Sequence, residues 1–165
     1  MSTKDNLKEA FAGESQANRK YLAFAQKAKK EGLEKVSRLF QAVAEAETIH
    51  ALKHLQTMAG VGSTKDNLKA AVAGEQHEFE VMYPAFIAEA EKEDNYEAKV
   101  TFHYANKAEQ AHYELYKKAL QAVEQEQDFP AEKFYLCPVC GYIEANGAPD
   151  RCPICGAPAA SFKEY

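Results

Sequence analysis

Apolar residues recur at intervals of three and four along the first 125 residues, which is the spacing of one face of an amphipathic helix. Leu7, Phe11 and Tyr21 mark this face in the first segment, and Leu68 and Val72 mark it in the third. The pattern predicts four helices, at residues 3–30, 33–59, 64–93 and 95–125. Four amphipathic helices joined by short turns pack most simply as a four-helix bundle.

An internal repeat organises these helices into two hairpins. Residues 2–14 (STKDNLKEAFAGE) and 63–75 (STKDNLKAAVAGE) are identical at eleven of 13 positions, at an offset of 61. A second match, at an offset of 62, relates residues 46–50 (AETIH) to residues 108–112 (AEQAH). Two copies are too few for a solenoid, so the repeat favours a duplicated helical hairpin.

A glutamate interrupts the apolar face of each predicted helix. Residues three apart on a helix project from the same face, so each Glu-x-x-His pair can direct both side chains to one point. Buried carboxylates repel one another and are costly without a counter-charge, and metal ions supply that charge. The candidate ligands are Glu14, Glu47, His50, Glu75, Glu109 and His112.

Glu78 lies three residues after Glu75 and adds a further carboxylate to that face. One Glu from each of two helices and Glu-x-x-His from each of the other two is the pattern of dimetal bundles, and this ligand set suits iron or manganese. Either motif alone also occurs on solvated helix faces. Tyr21 and Tyr83 are packing groups or hydrogen-bond partners of the ligands. Pro84 is expected to kink the third helix.

The last part of the chain carries a second type of metal motif. Cys137-x-x-Cys140-Gly and Cys152-x-x-Cys155-Gly are separated by 11 residues, and residues 1–136 contain no cysteine. Four thiolates at this spacing predict a closed tetrahedral site for zinc or for a single iron. Five of the six prolines also lie here. We therefore expect a helical domain over residues 1–130 and a small metal-stapled β domain over residues 131–165.

Composition excludes several classes of function. The 165 residues carry a net charge of −5 without a long basic run, which argues against nucleic acid as a partner. The longest apolar run has eight residues and contains a proline, so no membrane span is expected. The first residues do not have the pattern of a signal peptide. We expect a cytoplasmic protein.

The chain resembles rubrerythrins over essentially its whole length, which implies a ferritin-like bundle followed by a rubredoxin-like domain. The residues that carry the resemblance are Glu14, Glu47-x-x-His50, Glu75-x-x-Glu78, Glu109-x-x-His112 and the four cysteines. It implies that Glu47 and Glu109 bridge two irons. The remaining implied ligands are Glu14 with Glu78 or His50 on one iron, and Glu75 with His112 on the other. Tyr21 and Tyr83 correspond to tyrosines that contact ligand carboxylates.

The resemblance implies a non-haem di-iron peroxidase that reduces hydrogen peroxide to water in oxidative-stress defence. A third iron, in the four-cysteine site, passes electrons to the iron pair. The sequence has no nucleotide-binding fingerprint, so the expected donor is a separate NAD(P)H-dependent reductase or a rubredoxin. Two alternatives remain open at this stage. One is a ferroxidase or iron-storage protein, and the other is a non-enzymatic metal or redox sensor.

A homodimer is also expected. Glu109 and Gln125 are 16 residues apart, about 24 Å along a helix. A tail folded beside the end of its own bundle would then be far from the irons. A head-to-tail dimer, which the resemblance also implies, would bring each tail to the iron pair of the partner.

Overall fold

A computed structural model describes residues 2–165, and most of them are helical. The helices are α1 (Thr3–Lys30), α2 (Glu34–Thr57), α3 (Thr64–His77), a π-helical turn (Glu78–Met82), α4 (Tyr83–Lys92) and α5 (Tyr96–Glu124). The strands are β1 (Phe134–Leu136), β2 (Ile143–Ala145) and β3 (Lys163–Glu164), with a 3₁₀ turn at Ala159–Ser161. No helix within the described range is long and apolar enough to cross a bilayer. The predicted fold class, a four-helix bundle followed by a small metal-stapled β domain, is confirmed.

The described residues form two compact units, of which the first ends at Gly62 and the second is Ser63–Tyr165. The first unit is the hairpin of α1 and α2. Two buried polar side chains join its helices. Asn18 Nδ2 donates to the Ala44 carbonyl at 2.7 Å, and Ser37 Oγ donates to the Ala25 carbonyl at 2.9 Å. The small side chains in this core let the two backbones approach closely enough for these bonds.

The duplication is visible in the caps of the helices. The Ser2 side chain accepts a hydrogen bond from the Asp5 amide at the start of α1. The Ser63 side chain accepts the same bond from the Asp66 amide at the start of α3. Each serine thereby pairs one amide that a helix start leaves unbonded.

In the second unit α3, the π-helical turn and α4 pack on α5. The helix predicted over residues 64–93 runs through α3, the π-helical turn and α4, and the π-helical turn interrupts its α-helical hydrogen bonding. The Tyr83 amide donates to the Glu78 carbonyl, five residues back. Pro84 has no amide hydrogen and therefore cannot continue the regular helical bonding through this segment.

The tail of the second unit is a three-stranded antiparallel sheet in the order β2-β1-β3. Phe134 pairs with Ala145 on one side of β1, and Leu136 pairs with Lys163 on the other. Such a small sheet buries little apolar surface, so it needs a staple, which the cysteine cluster supplies. The connection from α5 to β1 includes the predicted domain boundary at residues 130 and 131.

Candidate metal centres

The first unit brings three of the predicted ligands together. One ligand atom each from Glu14, Glu47 and His50 lies within 4.8 Å of the other two. His50 Nδ1 is 2.9 Å from Glu47 Oε2 and 3.9 Å from Glu14 Oε1. The α1–α2 pairing places Glu14 opposite the Glu47–His50 pair, which shares one turn of α2. We call this cluster the first half-site.

The second unit repeats the arrangement with Glu75, Glu109 and His112, whose ligand atoms also lie within 4.8 Å of one another. His112 Nδ1 is 2.7 Å from Glu109 Oε2 and 3.7 Å from Glu75 Oε2. This cluster, the second half-site, is the more buried of the two. The His112 side chain is 19% exposed, whereas that of His50 is 55% exposed.

The two carboxylates of the second half-site, Glu75 and Glu109, repel each other. Burial, followed by a hydrogen bond with Glu109 and the charge of Glu109, raises the pKa of Glu75 to about 7. The hydrogen bond from His112 lowers the pKa of Glu109 despite burial. Burial alone would lower the pKa of His112, but its bonds to Glu109 and to the Gly141 carbonyl outweigh burial and raise it. Glu75 and Glu109 thus both lie close to the single imidazole of His112.

One buried oxygen atom of the second half-site, Glu75 Oε2, has no hydrogen-bond partner. A buried carboxylate oxygen without a hydrogen bond is costly in free energy. A divalent cation bound by Glu75, Glu109 and His112 would pair this oxygen and remove the repulsion between the carboxylates. Oxygen and imidazole donors without a thiolate suit iron. The residues present therefore fit an iron ion.

Glu78 lies beside the second half-site but is not one of its three clustered ligands. Burial raises its pKa, and the charge of Glu109 raises it further. Tyr83 faces the same carboxylates. Burial and then the charges of Glu109, Glu78 and Glu75 raise the pKa of the Tyr83 phenol, so it keeps its proton at neutral pH. The π-helical turn explains this proximity, because a wider turn places residues five apart on one side of the helix.

Each tyrosine sits in an aromatic cluster that the duplication has copied. The Tyr21 ring is 6.2 Å from those of Phe24 and Phe40. The Tyr83 ring is 6.2 Å from those of Phe86 and Phe102. All three pairs of equivalent residues are 62 positions apart, whereas Glu14 and Glu75 are 61 apart. The second copy therefore has one extra residue between Glu75 and Tyr83, where the π-helical turn lies.

The tail brings its four cysteines into one cluster. The Sγ atoms of Cys137 and Cys155 are 3.5 Å apart, those of Cys140 and Cys152 are 3.4 Å apart, and all four lie within 4.8 Å. Bonds of about 2.3 Å to a tetrahedral metal require sulfur separations of about 3.8 Å. The cluster therefore needs only a small expansion to hold one ion.

Glycine at the end of each knuckle turns backbone amides toward the sulfurs. Gly141 has φ +83° and Gly156 has φ +77°, a region that residues with a Cβ rarely adopt. Although burial of Cys152 opposes ionisation, bonds from the amides of Cys155 and Ile154 lower the pKa of its thiol to about 7. This thiol is thereby prepared to bind metal as the thiolate.

The tail reaches the second half-site of its own chain. His112 Nε2 donates to the Gly141 carbonyl at 2.9 Å, and Gly141 directly follows Cys140. A cavity of about 250 Å³ lies beside this contact, between α5 and the first cysteine knuckle. The distance along α5 therefore does not argue for a head-to-tail dimer, because the tail lies beside His112 of its own chain. The head-to-tail dimer stays a prediction. The connection between α5 and β1 lets the tail fold back along α5.

The other histidines lie outside these clusters. His77 and His103 are exposed, and His54 is partly buried one turn beyond His50. Among residues 2–165, the three clusters described above are the only groups of three or more acidic, histidine and cysteine side chains close enough to share a metal.

Two family models match the chain. The model described as "Rubrerythrin" covers residues 5–120, and the model described as "Rubrerythrin, rubredoxin-like domain" covers residues 135–163. These matches cover the helical segment with both half-sites and the cysteine tail, respectively. The rubredoxin-like match identifies the cysteine cluster as an iron site of that type.

Several full-length proteins are similar to the chain. Rubrerythrin-2 of Clostridium acetobutylicum is 36% identical over 99% of the chain and 96% of its own length. Nigerythrin of Nitratidesulfovibrio vulgaris is 39% identical over 99% and 87%. Among solved structures, fully reduced, all-ferrous nigerythrin matches 100% of the chain and 87% of its own, with 38% identity and a TM-score of 0.60.

Proposed function

The chain belongs to the rubrerythrin family, and we propose that it reduces hydrogen peroxide to water at an iron pair that both half-sites ligate. Membership implies a di-iron oxidoreductase of the peroxidase type. The observation that carries the proposal is the hydrogen bond from His112 to Gly141, which connects a candidate iron ligand to the cysteine knuckle of the tail. An iron-storage protein would not require a contact between an iron ligand and the cysteine knuckle.

The residues that would hold the irons are Glu14, Glu47, Glu75, Glu109 and His112, together with His50 or Glu78. Two ferrous ions at this site supply the two electrons that reduction of H₂O₂ to two waters consumes, together with two protons.

Glu78 would help to balance charge in the oxidised site. Loss of two electrons from an iron pair would leave two more positive charges there, and a carboxylate in place of an imidazole as ligand would offset one of them. Tyr83 keeps its phenolic proton and would be able to donate a hydrogen bond to a ligand carboxylate.

An iron held by the four cysteines would accept electrons one at a time from a separate NAD(P)H-dependent reductase or a rubredoxin. The hydrogen bond from His112 to the Gly141 carbonyl, next to Cys140, would then connect that iron with the ligands of the iron pair. We place the protein in the cytoplasm as a defence against oxidative stress, and we expect a homodimer.

The function is tested by metal analysis combined with a peroxide assay. Protein purified without oxygen from iron-replete cells should contain three irons per chain and consume NADH and H₂O₂ in a 1:1 ratio when a rubredoxin reductase system is supplied. Zinc in the tail, or turnover that survives Cys137→Ser with Cys152→Ser, would overturn the electron path. Iron in large excess of three per chain would favour storage.

A further inference from the structure

We propose that electrons enter the tail at its second cysteine knuckle, residues 152–156, and that the donor is a small electron-carrier protein with acidic residues around its redox centre. The first knuckle, residues 137–141, faces α5 and is the side from which electrons leave. This inference rests on the proposed role of the tail in electron transfer. It adds the docking surface and the charge of the partner.

The two knuckles have the same sequence pattern but different surroundings. The Gly141 carbonyl accepts the hydrogen bond from His112, and a Cβ placed on Gly141 would lie 3.9 Å from the Ala108 Cβ of α5. A Cβ placed on Gly156 would meet no atom of the described residues within 4 Å, apart from its chain neighbours. The first knuckle therefore packs on α5, whereas the second knuckle faces open space.

Within each knuckle the second cysteine is nearer to the surface than the first. Cys137 and Cys152 are 0% and 3% exposed, whereas Cys140 and Cys155 are partly exposed. Cys140 adjoins Gly141 on the side of α5, so Cys155 is the cysteine that a partner protein can approach from the solvent. Close approach matters because the rate of electron transfer falls steeply with the distance between the two redox centres.

The chain around Cys155 offers an uncharged contact surface. Residues 152–160 (CPICGAPAA) carry no charged side chain, and Pro153, Gly156 and Pro158 among them are exposed. Small contact areas are typical of transient complexes between redox proteins. A donor that delivers one electron at a time requires such a complex, because it has to dissociate before the next electron arrives.

Arg151 adds a positive charge at the edge of this surface. Its Nη1 donates a long hydrogen bond of 3.4 Å to the Gly156 carbonyl, which places the guanidinium beside the second knuckle. Among residues 2–165 no carboxylate forms an ion pair with Arg151, whereas Lys133 is paired with Glu164 at 2.7 Å. Arginine is enriched in protein interfaces because its guanidinium pairs well with carboxylates.

The position of this charge favours an acidic partner. An iron bound by four thiolates has a net negative charge in either oxidation state, which would repel acidic residues around the redox centre of a donor. Arg151 offsets this repulsion at the second knuckle and can pair with a carboxylate of the donor. The net charge of −5 is spread along the chain, and exposed charges farther away than about 8 Å are largely screened at physiological salt.

The step transfers one electron and no atom. The redox centre of the donor is oxidised by one electron, and the iron at the four cysteines is reduced from ferric to ferrous. Arg151 orients the donor and takes no part in the electron transfer itself, so it is a positioning residue.

Binding of an acidic, zinc-substituted rubredoxin tests the docking surface without any redox reaction. Isothermal titration of the iron-loaded protein with this probe gives Kd. Arg151→Glu should weaken binding at least about tenfold, because an attraction becomes a like-charge repulsion, and should remove the weakening of binding by added salt. Lys163→Glu makes the same charge change at an exposed position of β3 and should change Kd by less than about twofold.

Two results of this titration would overturn the proposal. Tighter binding to Arg151→Glu would indicate a basic partner. Equal weakening by Arg151→Glu and Lys163→Glu would show that only the overall charge of the tail matters.

Two prolines provide a matched pair for locating the entry point. Pro138 and Pro153 occupy the same place in the two knuckles, and both are exposed. Pro153→Asp should slow reduction of the ferric tail by reduced rubredoxin at least about tenfold, and Pro138→Asp by less than about twofold, because only the second knuckle contacts the acidic donor. Stopped-flow absorption of the ferric–thiolate centre gives both rates, and its spectrum confirms that each variant holds iron.

Equal rates in the two proline variants, or a slower rate in Pro138→Asp, would overturn entry at the second knuckle. The measurement is separate from the reaction with peroxide. A tail that is reduced as expected while hydrogen peroxide is not consumed would support the docking surface and count against the proposed function.

Discussion

The imidazole of His112 lies between Glu109 and Gly141: Nδ1 is 2.7 Å from the Glu109 carboxylate and Nε2 is 2.9 Å from the Gly141 carbonyl. One side chain thus contacts both a candidate bridging ligand and the backbone of a cysteine knuckle. The bond to Gly141 also fixes which ring nitrogen carries a proton, which leaves Nδ1 as the atom available to a metal.

Substitution of Gly141 tests this connection. Gly141→Ala adds a Cβ where φ is +83°, which strains the knuckle and shifts the carbonyl that His112 contacts. We expect electron transfer from the tail to the iron pair to slow by about tenfold or more, as is typical when a partner of a metal ligand is lost. Stopped-flow reduction followed at the ferric–thiolate absorption measures the rate.

Gly156→Ala is the matched control, because Gly156 occupies the same place in the other knuckle with φ +77° and is not bonded to His112. Both variants should lower the thermal stability of the tail to a similar extent. Only Gly141→Ala should slow the internal transfer. Equal transfer rates in the two variants would show that the bond does not carry electrons.

The pKa of Glu75 predicts how the metal-free protein responds to pH. Because folding raises this pKa from its ordinary value to about 7, the ionised carboxylate disfavours the folded state. The free energy of unfolding should therefore fall as pH rises from about 4.5 to about 7. Glu75→Gln should remove this part of the decrease, as measured by urea denaturation in the presence of a chelator.

Glu14→Gln provides the comparison, since Glu14 occupies the equivalent position of the first copy and its side chain is 32% exposed, against 19% for Glu75. We expect this variant to retain the decrease with pH. If Glu75→Gln also retained it, the repulsion with Glu109 would not be a property of the folded protein.

Glu78 is expected to act only in the oxidised state. Glu78→Gln should still bind two ferrous ions through the other ligands, and the tail absorption should be normal. Peroxide turnover should fall by at least about tenfold, because nothing replaces His50 when charge accumulates. Glu80→Gln, an exposed glutamate of the same π-helical turn, should leave turnover unchanged. Equal turnover in the two variants would show that Glu78 is only a surface charge without a role in peroxide reduction.

Both half-sites and the cysteine site could be predicted from the sequence because their geometry is local. Glu47 with His50 and Cys137 with Cys140 are three residues apart, and the helical or knuckle conformation brings each pair together. The duplication repeats the Glu-x-x-His pair and its partner glutamate in the second copy. A Glu-x-x-His pattern that arises by chance would not be repeated in this way.

Two features escaped prediction, for different reasons. The π-helical turn had a signal in the sequence, because the repeat offset changes from 61 at Glu75 to 62 at Tyr83, and an extra residue in a helix widens one turn. The position of the tail had no local signal. The contact between His112 and Gly141 joins residues 29 positions apart through an irregular connection, and neither periodicity nor spacing specifies where such a connection ends.

We propose above all that an iron pair reduces hydrogen peroxide and is then reduced again by electrons that pass through the tail. The most direct measurement mixes the fully reduced protein anaerobically with one equivalent of H₂O₂ per chain and follows iron oxidation by freeze-quench Mössbauer spectroscopy. We predict that the two bundle irons become ferric together within one mixing time, and that the tail iron is oxidised later. Oxidation of the tail iron first, or a ferrous bundle pair that persists while peroxide disappears, would contradict it.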